Sequence, residues 1–247
     1  IKKKFYFKKN EIYYIIVVSF ITASLIAYSN VNRPDAGLYH LPYTSFLNEN
    51  KIIIGLSNIH FRFGHISIMQ YLSAVNNNII FKDLGILIPL SSICSFFFVY
   101  FFNNVLMLIK KFEIDISKIF SLFVIVFITL KINRYSAFGN DAVSHLTFFF
   151  LISYLLEKKN KDLFFISLIS VFAFLNKTTL ILSLLFPIIF FFKNYRFENF
   201  KIFYSLPSLF LILWFIKNIL ISGCILYPIE SFCINALSWT DINEIRQ

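Results

Sequence analysis

The sequence lacks the short motifs on which soluble enzymes are commonly built. There is no Walker A loop, no Gly-x-Gly-x-x-Gly turn, no His-Glu-x-x-His pair and no Gly-x-Ser-x-Gly elbow. Their absence removes the phosphate-cradling loop, the dinucleotide turn, the helical zinc pair and the hydrolase nucleophile from consideration. Glycine is scarce, at 6 residues in 247, and charged residues make up only 15% of the chain. Polar residues recurring at every third or fourth position, the mark of a helix with one wet face, are missing from the long apolar runs. The stretch Ser95–Phe102 reads SFFFVYFF and is apolar all round. There is no internal repeat, and no inverted symmetry of the transporter kind. The first apolar run is not followed by a clear small-residue cleavage site, so no removable signal is expected. With 3 cysteines a disulfide-dense scaffold is excluded. Cys94 lies inside an apolar run, whereas Cys224 and Cys233 lie together in the last segment and are free to pair in an oxidising compartment.

What is present is apolar sequence in long blocks. Hydrophobic residues make 58% of the chain and the mean hydropathy is +0.72. Residues 12–32 and 84–109 carry no charge at all. A helix needs roughly 20 apolar residues to cross a bilayer. The expectation is therefore an all-α, polytopic transmembrane helical bundle forming a single domain over residues 1–247, with about seven spans. The spans are placed at 12–32, 84–109, 119–132, 141–156, 163–175, 178–192 and 202–222. Residues 33–83 form a long outer loop in which Ile66–Val75 is read as a helix on the membrane surface. Residues 223–247 begin an outer segment, and the start at Ile1 together with the polar end suggests a piece of a longer protein.

The net charge is +10, but the cations are not arranged for nucleic acid. Lys2, Lys3, Lys4, Lys8 and Lys9 precede the first span. Lys110, Lys111 and Lys118, then Lys158, Lys159 and Lys161, then Lys193, Arg196 and Lys201 fill alternate turns after it. This pattern follows the positive-inside rule and puts the N terminus in the cytoplasm.

The same topology carries Asp35, His40, Asp141 and Lys177 to the outer side, with Glu49, His60, Arg62 and His65 on the long first loop. Ionisable groups at a membrane boundary are costly unless paired or functional, so a polar cavity opening outward could gather them. Each also has a plainer reading. Asp141 behind Gly139-Asn140 suits a helix N-cap, Lys177 suits a snorkelling interfacial cation, and His145 suits a packed, hydrogen-bonded histidine.

Three local patterns resemble those of the GT-C superfamily of polytopic glycosyltransferases (family 39-like). Asp35-Ala36-Gly37-Leu38-Tyr39-His40 is similar to the acidic start of the first outer loop. Asp141, opening GNDAVSHLTFFFLISYLL, is similar to the acidic residue before an aromatic helix. FLNKTTLILSL, Phe174–Leu184, is similar to a Thr-Lys-x-Thr break between later spans. A related bacterial group of membrane proteins shares the DAGLYH-like loop, the stretch Gly55–Gly64 and the stretch Gly223–Pro228. The resemblance covers most of the chain.

The resemblance implies transfer of a sugar from a polyprenyl-phosphate donor to a glycan or lipid acceptor at the outer face of a bacterial inner membrane, in cell-envelope polysaccharide biosynthesis. Asp35 would be the catalytic base. His40, Arg62, His65, Asp141 and Lys177 would bind substrate. Arg62 and Lys177, with Lys217 third, would stabilise the departing lipid phosphate. The usual second acid is replaced by Ala36, which favours a reaction without a metal, and no cofactor is implied. Two alternatives stand beside this. A polysaccharide polymerase or ligase would place arginines in later, large outer loops, and a flippase or transporter would place polar residues near the bilayer midplane.

Overall fold

A computed structural model describes residues 9–28, 35–50, 52–65, 67–111, 114–131, 138–157, 161–194 and 205–242. Among them are nine α-helices: α1 (Lys9–Tyr28), α2 (Leu41–Glu49), α3 (Ile68–Asn76), α4 (Ile88–Lys111), α5 (Ile116–Leu130), α6 (Asp141–Leu156), α7 (Leu163–Asn176), α8 (Leu185–Asn194) and α9 (Ser205–Ser222). The described residues contain no β-strand, only an isolated antiparallel bridge between Cys224 and Cys233. The chain is all-helical, as its composition requires.

Several helix starts follow from local side-chain chemistry. Asp162 accepts the Phe164 N–H at 2.9 Å to open α7, and Asp115 accepts the Ile116 N–H at 2.9 Å to open α5. At α3, Ser67 and Gln70 form a reciprocal capping box. Two apolar clusters hold the bundle. One joins Leu90, Phe97 and Phe101 of α4 to Val124 and Ile128 of α5 and to Leu146 and Phe150 of α6. The other joins Tyr43, Leu56 and Phe63 to Phe174 of α7 and to Trp214 and Ile221 of α9.

Hydroxyls are buried among these apolar clusters, and large apolar side chains also cover the outside. Ser95, Ser117, Ser121, Ser144, Thr147, Ser153 and Ser170 are buried, while Phe20, Phe123 and Phe192 are about 70% exposed (74, 68 and 71%). Inside, Tyr100 of α4 bonds Ser153 of α6 at 3.1 Å, and Asn104 of α4 donates to Ser121 of α5 at 3.0 Å. One helical stretch among the described residues, Lys82–Lys110, is long and apolar enough to cross a membrane. The apolar stretches of the other long helices are 10–17 residues long.

Four expectations are adjusted. The segment 33–83 is not an open loop, because α2 and α3 lie within it. The helix expected to rest on the membrane surface is α3, but it packs against α2 and α4 and buries Met69, Gln70, Ser73 and Ala74 in protein. The sixth apolar run begins as a 3₁₀ turn, Thr178–Leu184, with Leu180 departing from helical backbone (φ −87°, ψ 21°), before α8 continues. Finally, Asn140, not Asp141, occupies the N-cap of α6, and it does so without a side-chain cap. The basic positions Lys2–Lys8, Lys158, Lys159, Arg196 and Lys201 lie outside the described residues.

Beyond α9 the chain folds back against the segment that follows α2. The Gly55 N–H donates to Leu220 O at 2.9 Å, Asn58 donates to Trp239 O at 2.9 Å, and Trp239 Nε1 donates to Ile219 O at 2.9 Å. A disulfide joins Cys224 to Cys233 across this return. The stretches Gly55–Gly64 and Gly223–Pro228 thus form one packed unit. At Gly64 an added Cβ would lie 2.4 Å from the Tyr227 ring, so only glycine lets the two segments approach this closely.

Candidate functional site

One polar cavity of about 520 Å³ is lined by Asp35, His40, Arg62, His65, Asp141 and Lys177 together. These six residues come from four separate places in the chain. Asp35 precedes the π-helical turn Ala36–His40, and Arg62 and His65 belong to the 3₁₀ turn Phe61–Gly64 and its exit. Asp141 opens α6, and Lys177 follows the end of α7. Asn140 ties the last two together by donating to Asn176 O at 2.8 Å.

Lys177 Nζ donates to Asp141 Oδ1 at 2.6 Å, with both side chains 29% exposed. Asp141 therefore holds a cation, and Lys177 is anchored rather than snorkelling to solvent. Arg62 lies over the Tyr39 ring at 5.5 Å and the Phe61 ring at 4.9 Å. Burial first, then the nearby Asp35 charge, pushes the Tyr39 hydroxyl up to about 12, so it stays protonated.

Both histidines of the cavity are neutral at pH 7. Burial pushes His65 down to about 4, with the charges of Arg62 and Lys217 adding to the effect. Burial likewise lowers His40 to about 4, against the opposing pull of Asp35 and Asp141. His65 packs edge-on against Tyr227 at 5.0 Å. His60 instead serves its own turn, since its Nδ1 accepts the Arg62 N–H at 3.1 Å. Glu49 accepts from Ser45 at 2.7 Å and does not line the cavity. His145 is half-buried and does not line it either.

Over residues 1–246 the sequence matches the family described as Domain of unknown function (DUF8201). The chain belongs to the DUF8201 family. No curated protein and no solved structure matches it.

The cavity of this DUF8201 chain also has walls that carry no charge. Asn176, Trp214, Asn218 and Tyr227 line it. Asn176 is 1% exposed with its Oδ1 unbonded, and Trp214 is 5% exposed with its Nε1 unbonded. Lys217 stands behind Trp214, its Nζ buried without a hydrogen-bond partner and 3.3 Å from the Trp214 ring centroid. Lys217, the third cation expected at the phosphate, does not line the cavity, and in sequence Asn176, Trp214 and Asn218 look like ordinary membrane-helix residues. The one signal that could have found them is their spacing: Trp214, Lys217 and Asn218 are three and four apart on one helix.

Among the described residues no group of three or more His, Cys, Asp or Glu side chains is placed to hold a metal ion. The arrangement offers instead the Asp35 carboxylate, an exposed Arg62 guanidinium and two neutral imidazoles. Such a set can accept a proton from a hydroxyl, hold an oxyanion and hydrogen-bond a polyol.

Proposed function

We propose that this chain is a membrane glycosyltransferase that moves a sugar from a polyprenyl-phosphate donor to a cell-envelope acceptor on the outer face of a bacterial inner membrane. In this reading it is a polytopic bundle of about seven spans with its N terminus in the cytoplasm. The apolar exterior with buried hydroxyls supports a lipid setting, because lipid offers those hydroxyls no partner outside the bundle. The observation that carries the function is the meeting of the Asp35 carboxylate and the Arg62 guanidinium in one polar cavity.

In the reaction, Asp35 takes the proton of the acceptor hydroxyl as that oxygen attacks the anomeric carbon. The bond from that carbon to the phosphate oxygen breaks, and the lipid phosphate leaves with the electron pair. The leaving phosphate already carries charge, so cationic stabilisation serves it better than protonation. Arg62, which lines the cavity and is exposed, supplies that charge. Attack opposite the phosphate inverts the anomeric centre.

The experiment is transfer of radiolabelled hexose from polyprenyl-phosphate sugars in membranes containing the protein, comparing wild type with Asp35→Asn at matched expression. Loss of transfer in the variant supports Asp35 as base. Unchanged transfer removes Asp35 from the mechanism, and no transfer by wild type with any donor turns the reading towards a ligase or a flippase.

A further inference from the structure

Gln70 is the third residue of the capping box that opens α3, and its Oε1 accepts the Ser67 backbone N–H at 2.8 Å. A backbone N–H only donates, so the atom facing Ser67 must be the amide oxygen and the NH₂ group is turned the other way. That NH₂ lies 3.0 Å from His40 Nδ1. An amide NH₂ has no lone pair to offer, so Nδ1 must be the acceptor and carries no proton. The neutral ring then has its proton on Nε2.

The rest of the surroundings agree. His40 is 6% exposed, and its Nε2 lies 3.2 Å from where a Cβ on Gly139 would stand. Glycine at that position leaves Nε2 open towards the cavity, which both residues line. The charged and titratable groups acting on the ring are Asp35, Asp141 and Arg62, with the Tyr39 ring packed on it at 4.2 Å. A neutral Nε2–H is matched by a hydroxyl oxygen as acceptor.

We propose that Gln70 locks His40 as a neutral Nε2–H donor, and that this N–H binds a hydroxyl oxygen of a polyol substrate. His40 touches the ligand and Gln70 is a positioning residue acting through it. The tautomer stands on geometry alone, and only the identity of the ligand as a sugar rests on the glycosyltransferase reading. A lone buried donor of this kind discriminates against ligands lacking the oxygen, because it would be left unpaired.

Nitrogen NMR of ¹⁵N-histidine-labelled protein in lipid nanodiscs tests this, since His40→Asn identifies the signal among 4 histidines. The expected result is an unprotonated Nδ1 and a protonated Nε2, unchanged between roughly pH 8 and pH 5. An Nδ1–H tautomer, or an imidazolium in that range, overturns the proposal. In Gln70→Glu the carboxylate faces Nδ1 and accepts from it, so the tautomer should reverse and the ring should titrate at higher pH. Hexose transfer by that variant should fall about tenfold or more at pH 8 and recover in acid, where the imidazolium restores Nε2–H. A variant with an unaltered tautomer, or with a flat loss at every pH, also overturns it. Wild-type protein that shows the expected tautomer but transfers no hexose sinks the sugar reading and leaves the lock standing.

Discussion

Lys217 lies on α9 with its Nζ buried, without a hydrogen-bond partner, against the face of the Trp214 ring at 3.3 Å. A buried polar group left unbonded costs roughly 1–3 kcal/mol, and more if it is charged. The contact with the indole returns about 0.5–2 kcal/mol. The balance is unfavourable by about 1 kcal/mol, so a side chain of similar length without the ammonium should be tolerated better than the native one. Lys217→Met is expected to raise the stability of the ligand-free protein by about 1 kcal/mol, or roughly 2–4 °C in Tm for a chain of this size. Thermal unfolding in nanodiscs, followed by tryptophan fluorescence, reads this directly. A Lys217→Met protein that is less stable by more than about 1 kcal/mol would refute the reasoning, since it would mean that the ammonium has a stabilising partner.

Three further outcomes are expected. Gly64→Ala places a Cβ 2.4 Å from the Tyr227 ring and should cost about 1–3 kcal/mol by overpacking, with Tyr227→Leu restoring much of it in the double variant. A double-mutant cycle on Asp141→Asn and Lys177→Gln should give a coupling near 1 kcal/mol that shrinks with salt, because both side chains are 29% exposed; zero coupling would show the pair to be incidental. His40 and His65 are both lowered to about 4 from an ordinary 6.5, so the unfolded chain takes up their protons first as the pH falls. Their contribution to stability is complete above pH 6.5 and drains away towards pH 4, at up to about 1.4 kcal/mol per pH unit for each histidine. Denaturation across that window should show a shallower slope for His40→Asn, and an equal slope would place that histidine outside the titration.

The helices were legible because apolar runs and their end signals are local. The limits 141–156 coincide with α6, and 163–175 falls one residue short of α7. Local chemistry also misled, and for a physical reason. An acid at a helix start can bond the exposed N–H groups of its own first turn or reach a cation elsewhere, and the sequence shows only the first option. Lys177, 36 residues on, wins Asp141 because the ends of α6 and α7 meet through Asn140 and the carbonyl of Asn176.

The site divides along the same line. A charge in an apolar chain stands out by its cost, so Asp35, His40, Arg62, His65, Asp141 and Lys177 could be singled out before their convergence was seen. An amide or an indole carries no such mark, and Gln70, Asn176 and Trp214 acquire meaning only from what they face. Gln70 is the clearest case: as the partner of Ser67 it is half of an ordinary helix cap, and nothing within α3 implies a second role. The cap fixes which end of the amide turns outward, and the fold brings His40 to that end from 30 residues away. A residue needed for local structure thereby sets the protonation of a residue in the cavity, so a substitution that spares the helix can still change what the cavity binds.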